Sequence, residues 1–231
     1  MISAEAAFAN AANAAAAAFA ATPPYIAYRL EVRTRDDAGE HMEAQRIVLR
    51  TSDGMGLIRE GERTQRALPA GLPPAVDALA QWAFSASLVE GHVAMRIAYE
   101  RPKAYAFPTP GPQADVVAAN IAGYSVQYVE DDRNHVRLAP VTPALRAFAA
   151  EPDHFVYRDV FIDPKTSLPT RVVLAAPDEM LVLDYATVEG RWLLSHFNYD
   201  ATLRGAHAGK QHYLVEAAYS DYAFPSSPPA L

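Results

Sequence analysis

Residues 155–175 read FVYRDVFIDPKTSLPTRVVLA, which is two runs of β-branched and aromatic side chains around a turn. We predict strands at 155–162 and 170–175. The turn begins with the Asp-Pro pair that favours a bend, and Pro169 stands at the next strand's start, where no N–H is needed. The stretch therefore predicts a β-hairpin, which is the unit of an antiparallel sheet.

The same pattern continues on both sides of this hairpin. Apolar and polar residues alternate from Tyr25 onward, so that Tyr28 and Leu30 share one face and Arg29 lies on the other. Turns are expected at 131–134 and 205–210 among others, because they concentrate Asp, Asn and Gly. Further strands are predicted at 25–33, 42–51, 55–59, 63–68, 93–99, 121–130, 135–138, 180–188, 192–203 and 212–224.

Helical spacing is confined to three segments. The alanine-rich N-terminus places Phe8 and Phe19 three turns apart on one helix face, and Pro23-Pro24 ends that helix. An alternative is that residues 1–22 are the remnant of an export signal, although Met1 to Asn10 lacks the positive charge that a signal carries. Two more helices are predicted at 75–89, with Trp82 in its apolar stripe, and at 142–150.

The order of the elements predicts a mainly β (α+β) fold with few helices, in which an antiparallel sheet curls or closes. No change of composition marks a boundary, so we expect one domain over residues 1–224 and a disordered tail over 225–231. The longest apolar stretch, residues 11–21, is too short to span a bilayer, so no membrane span is predicted.

Charge and composition exclude several classes of protein. The net charge of −7 disfavours nucleic acid as a partner and weakens electrostatic docking to anionic membranes. The chain has no cysteine, which excludes thiol catalysis, thiolate metal sites and disulfides. Neither a phosphate loop nor a dinucleotide fingerprint occurs, and we expect no cofactor.

Residues that could carry catalysis or bind metal are scattered. The closest histidine pair is His207 and His212, which is either a two-ligand metal site or the tip of a hairpin, and no carboxylate stands nearby to complete a ligand set. Ser125 and Ser195 fall within strands and outside any Gly-x-Ser-x-Gly elbow. We therefore predict neither a catalytic residue nor a metal site.

Apolar side chains on the inward faces are the remaining signal. For each one, a packed core is the ordinary interpretation, and the lining of an apolar cavity is the functional one. The candidates for a cavity lining are Tyr28, Leu30, Trp82, Met95, Ile97, Tyr99, Tyr124, Val126 and Tyr128.

The sequence resembles the bacterial lipoprotein-sorting carriers of the LolA/LolB type. The resemblance lies in the stretch YRDVFIDPKTSLPTRV at residues 157–172, which is similar to that family's strand, D-x-x-T-x-L-P turn and returning strand. Tyr185-Ala186 and residues 190–193, GRWL, are similar to its late hairpin. The resemblance implies a half-open barrel covered by the N-terminal helix and the helix at 75–89.

The resemblance also implies a function. It points to a non-catalytic carrier of the bacterial envelope that holds a lipid or acyl chain in the half-open barrel. A periplasmic or secreted monomer is expected, with its signal peptide absent or already removed and with another envelope protein as a further partner. The alternatives are a secreted structural or interaction module whose core is filled, and an enzyme.

Overall fold

The structure is a computed structural model, and the residues that it describes are 2–21, 23–37, 39–50, 56–60, 63–67, 123–130, 132–150, 155–205 and 209–227. The helix predicted at 75–89 and the strand predicted at 93–99 lie outside these residues. So do four of the nine candidate cavity residues, which are Trp82, Met95, Ile97 and Tyr99.

The described residues form two helices and eleven strands. The helices are α1 (Ala4–Ala20) and α2 (Pro143–Ala150). The strands are β1 (Tyr25–Asp36), β2 (Gly39–Arg50), β3 (Gly56–Glu60), β4 (Arg63–Ala67), β5 (Tyr124–Val129), β6 (Asp132–Pro140), β7 (Val156–Ile162), β8 (Pro169–Ala176), β9 (Glu179–Val188), β10 (Arg191–Gly205) and β11 (Gly209–Ala223).

All eleven strands belong to one sheet, in the order β4-β3-β2-β1-β11-β10-β9-β8-β7-β6-β5, and the described pairs are antiparallel. Within the described residues β4 and β5 do not pair, so the sheet stays open there. The predicted mainly β fold with an N-terminal helix is therefore confirmed. None of the described helices is both long and apolar enough to cross a bilayer.

One predicted turn was wrong. The turn expected at 131–134 is shorter, because β6 begins at Asp132, which pairs with Val129. Glu130 has a φ of 54°, in the left-handed region that two-residue hairpin loops require. The strand predicted at 135–138 is consequently longer and covers all of β6.

The turn between β7 and β8 forms as the sequence predicts. The Asp163 carboxylate accepts the Lys165 N–H at 2.8 Å, which is the local bond that makes Asp favourable in bends. The Ser167 N–H donates to the Asp163 carbonyl at 2.8 Å, and Ser167 has a φ of 60°. Trp192 of the late hairpin donates its indole N–H to the Pro169 carbonyl at 2.7 Å, so the two sequence stretches that carry the family resemblance are bonded to each other.

Side chains alternate between two faces of the sheet. The inner face carries the buried apolar residues, such as Leu30, Val136, Val160 and Leu183. The outer face carries mostly charged residues. One of its cross-strand rows joins His135, Phe161, Arg171 and Asp184, and the Arg171 guanidinium donates twice to the Asp184 carboxylate.

Helix α1 packs on the inner face through a stripe of small residues. Its buried positions are Ala4, Ala7, Phe8, Ala11, Ala12 and Ala15, which follow the three- and four-residue spacing of one helix face. Phe8 is fully buried and its ring meets that of Tyr157 edge-on at 6.0 Å. Because alanine has only a methyl group, the helix backbone can lie close to β5, β6, β8 and β10. The predicted N-terminal helix is confirmed, but its placing of Phe8 and Phe19 on one face stays a prediction, because the side chain of Phe19 lies outside the described residues.

A cluster of tyrosines packs on the inner face of β1, β9 and β11. The ring of Tyr28 lies 5.6 Å from those of Tyr219 and Tyr222. The Tyr222 hydroxyl donates to the Leu194 carbonyl, whereas the buried Tyr28 hydroxyl has no hydrogen-bond partner among the described residues. Burial raises the pKa of Tyr28, Tyr185 and Tyr222, so these hydroxyls stay protonated at neutral pH.

We expect Ala12→Leu to destabilise the protein by about 1–3 kcal/mol, because the added atoms must push α1 away from the sheet. Ala17→Leu is the matched control, since Ala17 is exposed on the same helix. The measurement is urea unfolding of both variants. Equal midpoints would mean that α1 does not lie closely packed on the sheet.

We expect Tyr28→Phe and Tyr222→Phe to have opposite effects. Tyr28→Phe removes a buried hydroxyl without a partner and should leave stability unchanged or raise it by about 1 kcal/mol. Tyr222→Phe removes the hydrogen bond that the Tyr222 hydroxyl donates to the Leu194 carbonyl, which should cost about 0.5–1.5 kcal/mol. Thermal unfolding of the two variants tests this, and a loss of stability in Tyr28→Phe would show that its hydroxyl is satisfied.

Candidate functional site

A cleft of about 460 Å³ opens between the N-terminal end of α1, the β5–β6 hairpin and the β7–β8 turn. Its volume falls within the range of about 300–1,000 Å³ that small-molecule sites have. The lining residues are Ile2, Ala7, Asn10, Tyr128, Arg133, Asn134, Ile162, Asp163, Pro164 and Ser167. We call the space lined by these ten residues the cleft.

Tyr128 fixes the helix end that forms one wall of the cleft. Its hydroxyl lies 3.4 Å from the Ser3 carbonyl oxygen and 3.5 Å from that of Ile2, so it can donate to either. Ser3 caps α1, because its Oγ accepts the Ala6 N–H at 3.2 Å. The start of the helix is therefore held both by its own cap and by the sheet.

Arg133 is the one cationic side chain among the lining residues, and it lies at the rim of the cleft. The Arg133 guanidinium lies over the Tyr128 ring, 5.1 Å from its centroid, which is the geometry of a cation–π contact. Arg133 is exposed. The arrangement offers an apolar wall with a positively charged group at its mouth.

Asp163 brings a carboxylate to the opposite wall. Hydrogen bonding by the Lys165 N–H holds the pKa of Asp163 below its usual value, so the carboxylate is ionised at neutral pH. That bond also commits one of its oxygens to the turn. The role of Asp163 is therefore to shape the wall, and the Pro164 ring beside it adds apolar surface.

Of the five predicted cavity residues that the structure describes, one lines the cleft. Tyr128 lines it, and Tyr124 and Val126 are buried further along the same strand, where the Tyr124 hydroxyl accepts the Tyr157 N–H at 3.2 Å. Tyr28 and Leu30 are buried on β1, with six strands between β1 and β5 in the sheet order. The nine residues remain a prediction as a cavity lining. Of the described five, Tyr28, Leu30, Tyr124 and Val126 belong to the packed core, and Tyr128 packs against it.

The space between α1 and the sheet is filled. Phe8, Ala11, Ala12, Val136 and Val160 each expose 0% of their surface. Side chains at this density leave no room for a ligand between them.

Sequence reasoning missed most of the cleft. Its walls come from residues 2–10, 128–134 and 162–167, which have no spacing in common. Asn10 was the one available signal, because a polar residue in an alanine run marks an edge of the buried stripe. The turn at Asp163 was predicted correctly as a bend, but its position beside α1 follows from the tertiary fold.

Other polar clusters among the described residues of the outer face are held by ion pairs and hydrogen bonds. Buried Asp159 accepts Arg137 Nε at 2.9 Å and lies 2.8 Å from His135 Nε2. His212 Nε2 lies 2.8 Å from Asp200, while His207 is outside the described residues. In the part of the chain that the structure describes, no group of three His, Asp or Glu side chains could hold a metal ion.

No family model and no curated protein matches the chain. Solved structures similar to it include a LolA superfamily protein from Nitrosomonas europaea, with 11% identity, a TM-score of 0.37, and coverage of 99% of this chain and 96% of that one. A putative outer membrane lipoprotein-sorting protein domain from Vibrio parahaemolyticus has 12% identity and a TM-score of 0.43, over 94% and 93% of the two chains. A DUF1329 family protein from Desulfovibrio piger has 10% identity and a TM-score of 0.39, over 93% of each chain.

Proposed function

We propose that this protein is a non-catalytic binding protein that holds the hydrocarbon chain of a lipid or other amphiphile in the cleft. The observation that carries the proposal is the cleft itself, with Ile2, Ala7, Ile162 and Pro164 in its walls. Each fully buried methylene group contributes about 0.8 kcal/mol, so six of them contribute about 5 kcal/mol. A single acyl chain is therefore sufficient for useful affinity.

In this proposal, Arg133 binds the polar head group of the ligand. An amphiphile that lays its chain against Ile162 and Ala7 brings its head group to the mouth, where the guanidinium can bind a carboxylate or phosphate. The fixed start of α1 supports the same role, since a wall that is already ordered costs little further entropy when the ligand binds.

The envelope location and the partners belong to the proposal too. The family resemblance of residues 157–172 is what favours a periplasmic or secreted protein that exchanges its ligand with another envelope protein. Fractionation of cells that express the full chain tests the location. If the protein is recovered only in the cytoplasm, the proposed envelope role is wrong, but the proposed binding of a ligand in the cleft is not affected.

The second candidate function is an interaction module without a ligand. The filled space beneath α1 favours it, because a carrier with a central cavity would leave these side chains partly exposed. Lipid extraction and mass spectrometry on the purified native protein separate the two. Bound lipid at close to one molecule per chain supports the carrier, and its absence supports the module.

We expect Asn10→Trp to weaken binding of a dansyl fatty acid about tenfold. The indole would occupy the cleft and exclude about two methylene groups of the ligand. Asn13→Trp is the matched control, because Asn13 is exposed on the same helix and does not line the cleft. The measurement is fluorescence titration with displacement by dodecanoate, and equal affinities of the two variants would place the ligand elsewhere.

We expect Arg133→Gln to weaken dodecanoate binding by up to about fivefold and to leave dodecanol binding unchanged. The expected loss of dodecanoate affinity is small because an exposed ion pair contributes only about 0.2–1 kcal/mol. Arg146→Gln, an exposed arginine on α2 away from the cleft, is the control. If both ligands lose affinity equally, the arginine acts on the shape of the cleft and not on the head group.

A further inference from the structure

Arg191 stands at a fixed position where β10 begins. It pairs with Val188 of β9 across the two-residue loop of Glu189 and Gly190. The φ angles of these two loop residues, 51° and 75°, are both positive, as a type I′ hairpin turn requires. The tight turn therefore holds the backbone of Arg191 in one place and lets only its side chain move.

The charge of Arg191 is not neutralised within the described residues. Other described arginines, such as Arg35 and Arg171, have a carboxylate partner, whereas Arg191 makes no ion pair with a described residue. Its Nε is buried and has no hydrogen-bond partner among the described residues. A buried donor without an acceptor lowers stability, and it does so more strongly when the group is charged. Such an atom calls for an explanation, and a missing ligand is one.

The ring of Phe224 covers the guanidinium of Arg191. The Arg191 Cζ lies 4.4 Å from the centroid of that ring, which is the geometry of a cation–π contact. The N–H groups of a guanidinium lie in its plane, so a ring over its face accepts none of their hydrogen bonds. The contact with Phe224 therefore packs the face of Arg191 and leaves its donors without an acceptor.

Phe224 can leave this position without breaking a strand pair. The described pairs between β10 and β11 end at His196 and Ala218, so that the first residues of β10 pair with β9 and the last residues of β11 pair with β1. The Tyr222 hydroxyl, which donates to the Leu194 carbonyl, joins the two strands there. Phe224 follows the end of β11 and is only partly buried. Its contact with Arg191 is therefore a side-chain contact that a competing ring can replace.

We propose that Arg191 is a binding site for a small aromatic acid, whose ring takes the place that Phe224 occupies in this structure. The contact with Phe224 shows that a phenyl ring fits against the guanidinium. The unpartnered Nε–H is half of the fork with which arginine binds a carboxylate or phosphate through two parallel hydrogen bonds. Leu193 and Leu194 are buried next to it in the chain, and apolar surroundings strengthen such bonds. A ligand with both a ring and an oxyanion meets both requirements.

The experiment is calorimetric titration of the full chain with benzoate and with two compounds that each lack one of its features. Cyclohexanecarboxylate has the charge without the aromatic ring and should bind about two- to fivefold more weakly, because it makes no cation–π contact. Benzyl alcohol has the ring without the charge and should bind at least about tenfold more weakly. Equal affinities of the three compounds, or no binding of benzoate, overturn the proposal.

Replacing the arginine tests the site directly. Arg191→Gln should weaken benzoate binding at least about tenfold, because it removes the charge and the fork. Arg35→Gln is the matched control and should bind benzoate as the unmodified protein does, since Arg35 lies at the opposite end of β1 and donates to Glu40 at 3.0 Å. Equal affinities of the two variants would mean that benzoate binds elsewhere.

Replacing the covering ring should have the opposite effect. Phe224→Ala should strengthen benzoate binding about two- to fivefold, because the ligand no longer competes with the cation–π contact inside the protein. Phe224→Leu keeps most of the apolar packing and should strengthen binding in the same direction, so it replaces the alanine variant if circular dichroism shows that the latter does not fold. Weaker binding by a folded Phe224→Leu variant contradicts the proposed displacement.

This inference goes beyond the proposed cleft function and does not rest on it. Asn10→Trp blocks the cleft, which Arg191 does not line, so its benzoate affinity should equal that of the unmodified protein. Arg191→Gln should in turn leave the dodecanoate affinity of the cleft unchanged. Loss of fatty acid binding and loss of benzoate binding are therefore separate results.

Discussion

The register of the antiparallel sheet is the constraint on which the rest of the structure depends. Because side chains alternate with a period of two, a shift of one residue in any strand would exchange its buried and exposed faces. The register runs through ten neighbouring strand pairs from β4 to β5, and it brings distant residues into common rows. The inner core and the ion pairs of the outer face are both consequences of it.

Much of the fold could be predicted from local patterns. Alternation at Tyr28 and Leu30 and at Tyr124 and Val126 assigned these side chains correctly to a buried face. The turn at Asp163 was predictable because its hydrogen bonds are local. The turn after Glu130 was not, since Asp and Asn clusters indicate a bend without fixing its length, and here a residue with a positive φ makes the loop short.

The candidate site was predicted much less well, for a physical reason. A cleft is the space that elements leave between them, and its shape depends on how closely α1 lies against the sheet. Alanine at positions 11, 12 and 15 fills the area under the helix, so the described part of the interior is solid there and the opening lies at the helix end. The alternation of side chains along a single strand does not indicate how closely α1 lies against the sheet.

The contact between the Tyr128 hydroxyl and the first residues of α1 has a further consequence. The same ring forms a wall of the cleft, supports Arg133 and holds the carbonyls of Ile2 and Ser3. A ligand that turns this ring would release the start of the helix, where hydrogen bonds open most easily because helix ends fray. Occupancy of the cleft by a ligand would thus be linked thermodynamically to amide exchange in the first turn of α1, through one phenol ring.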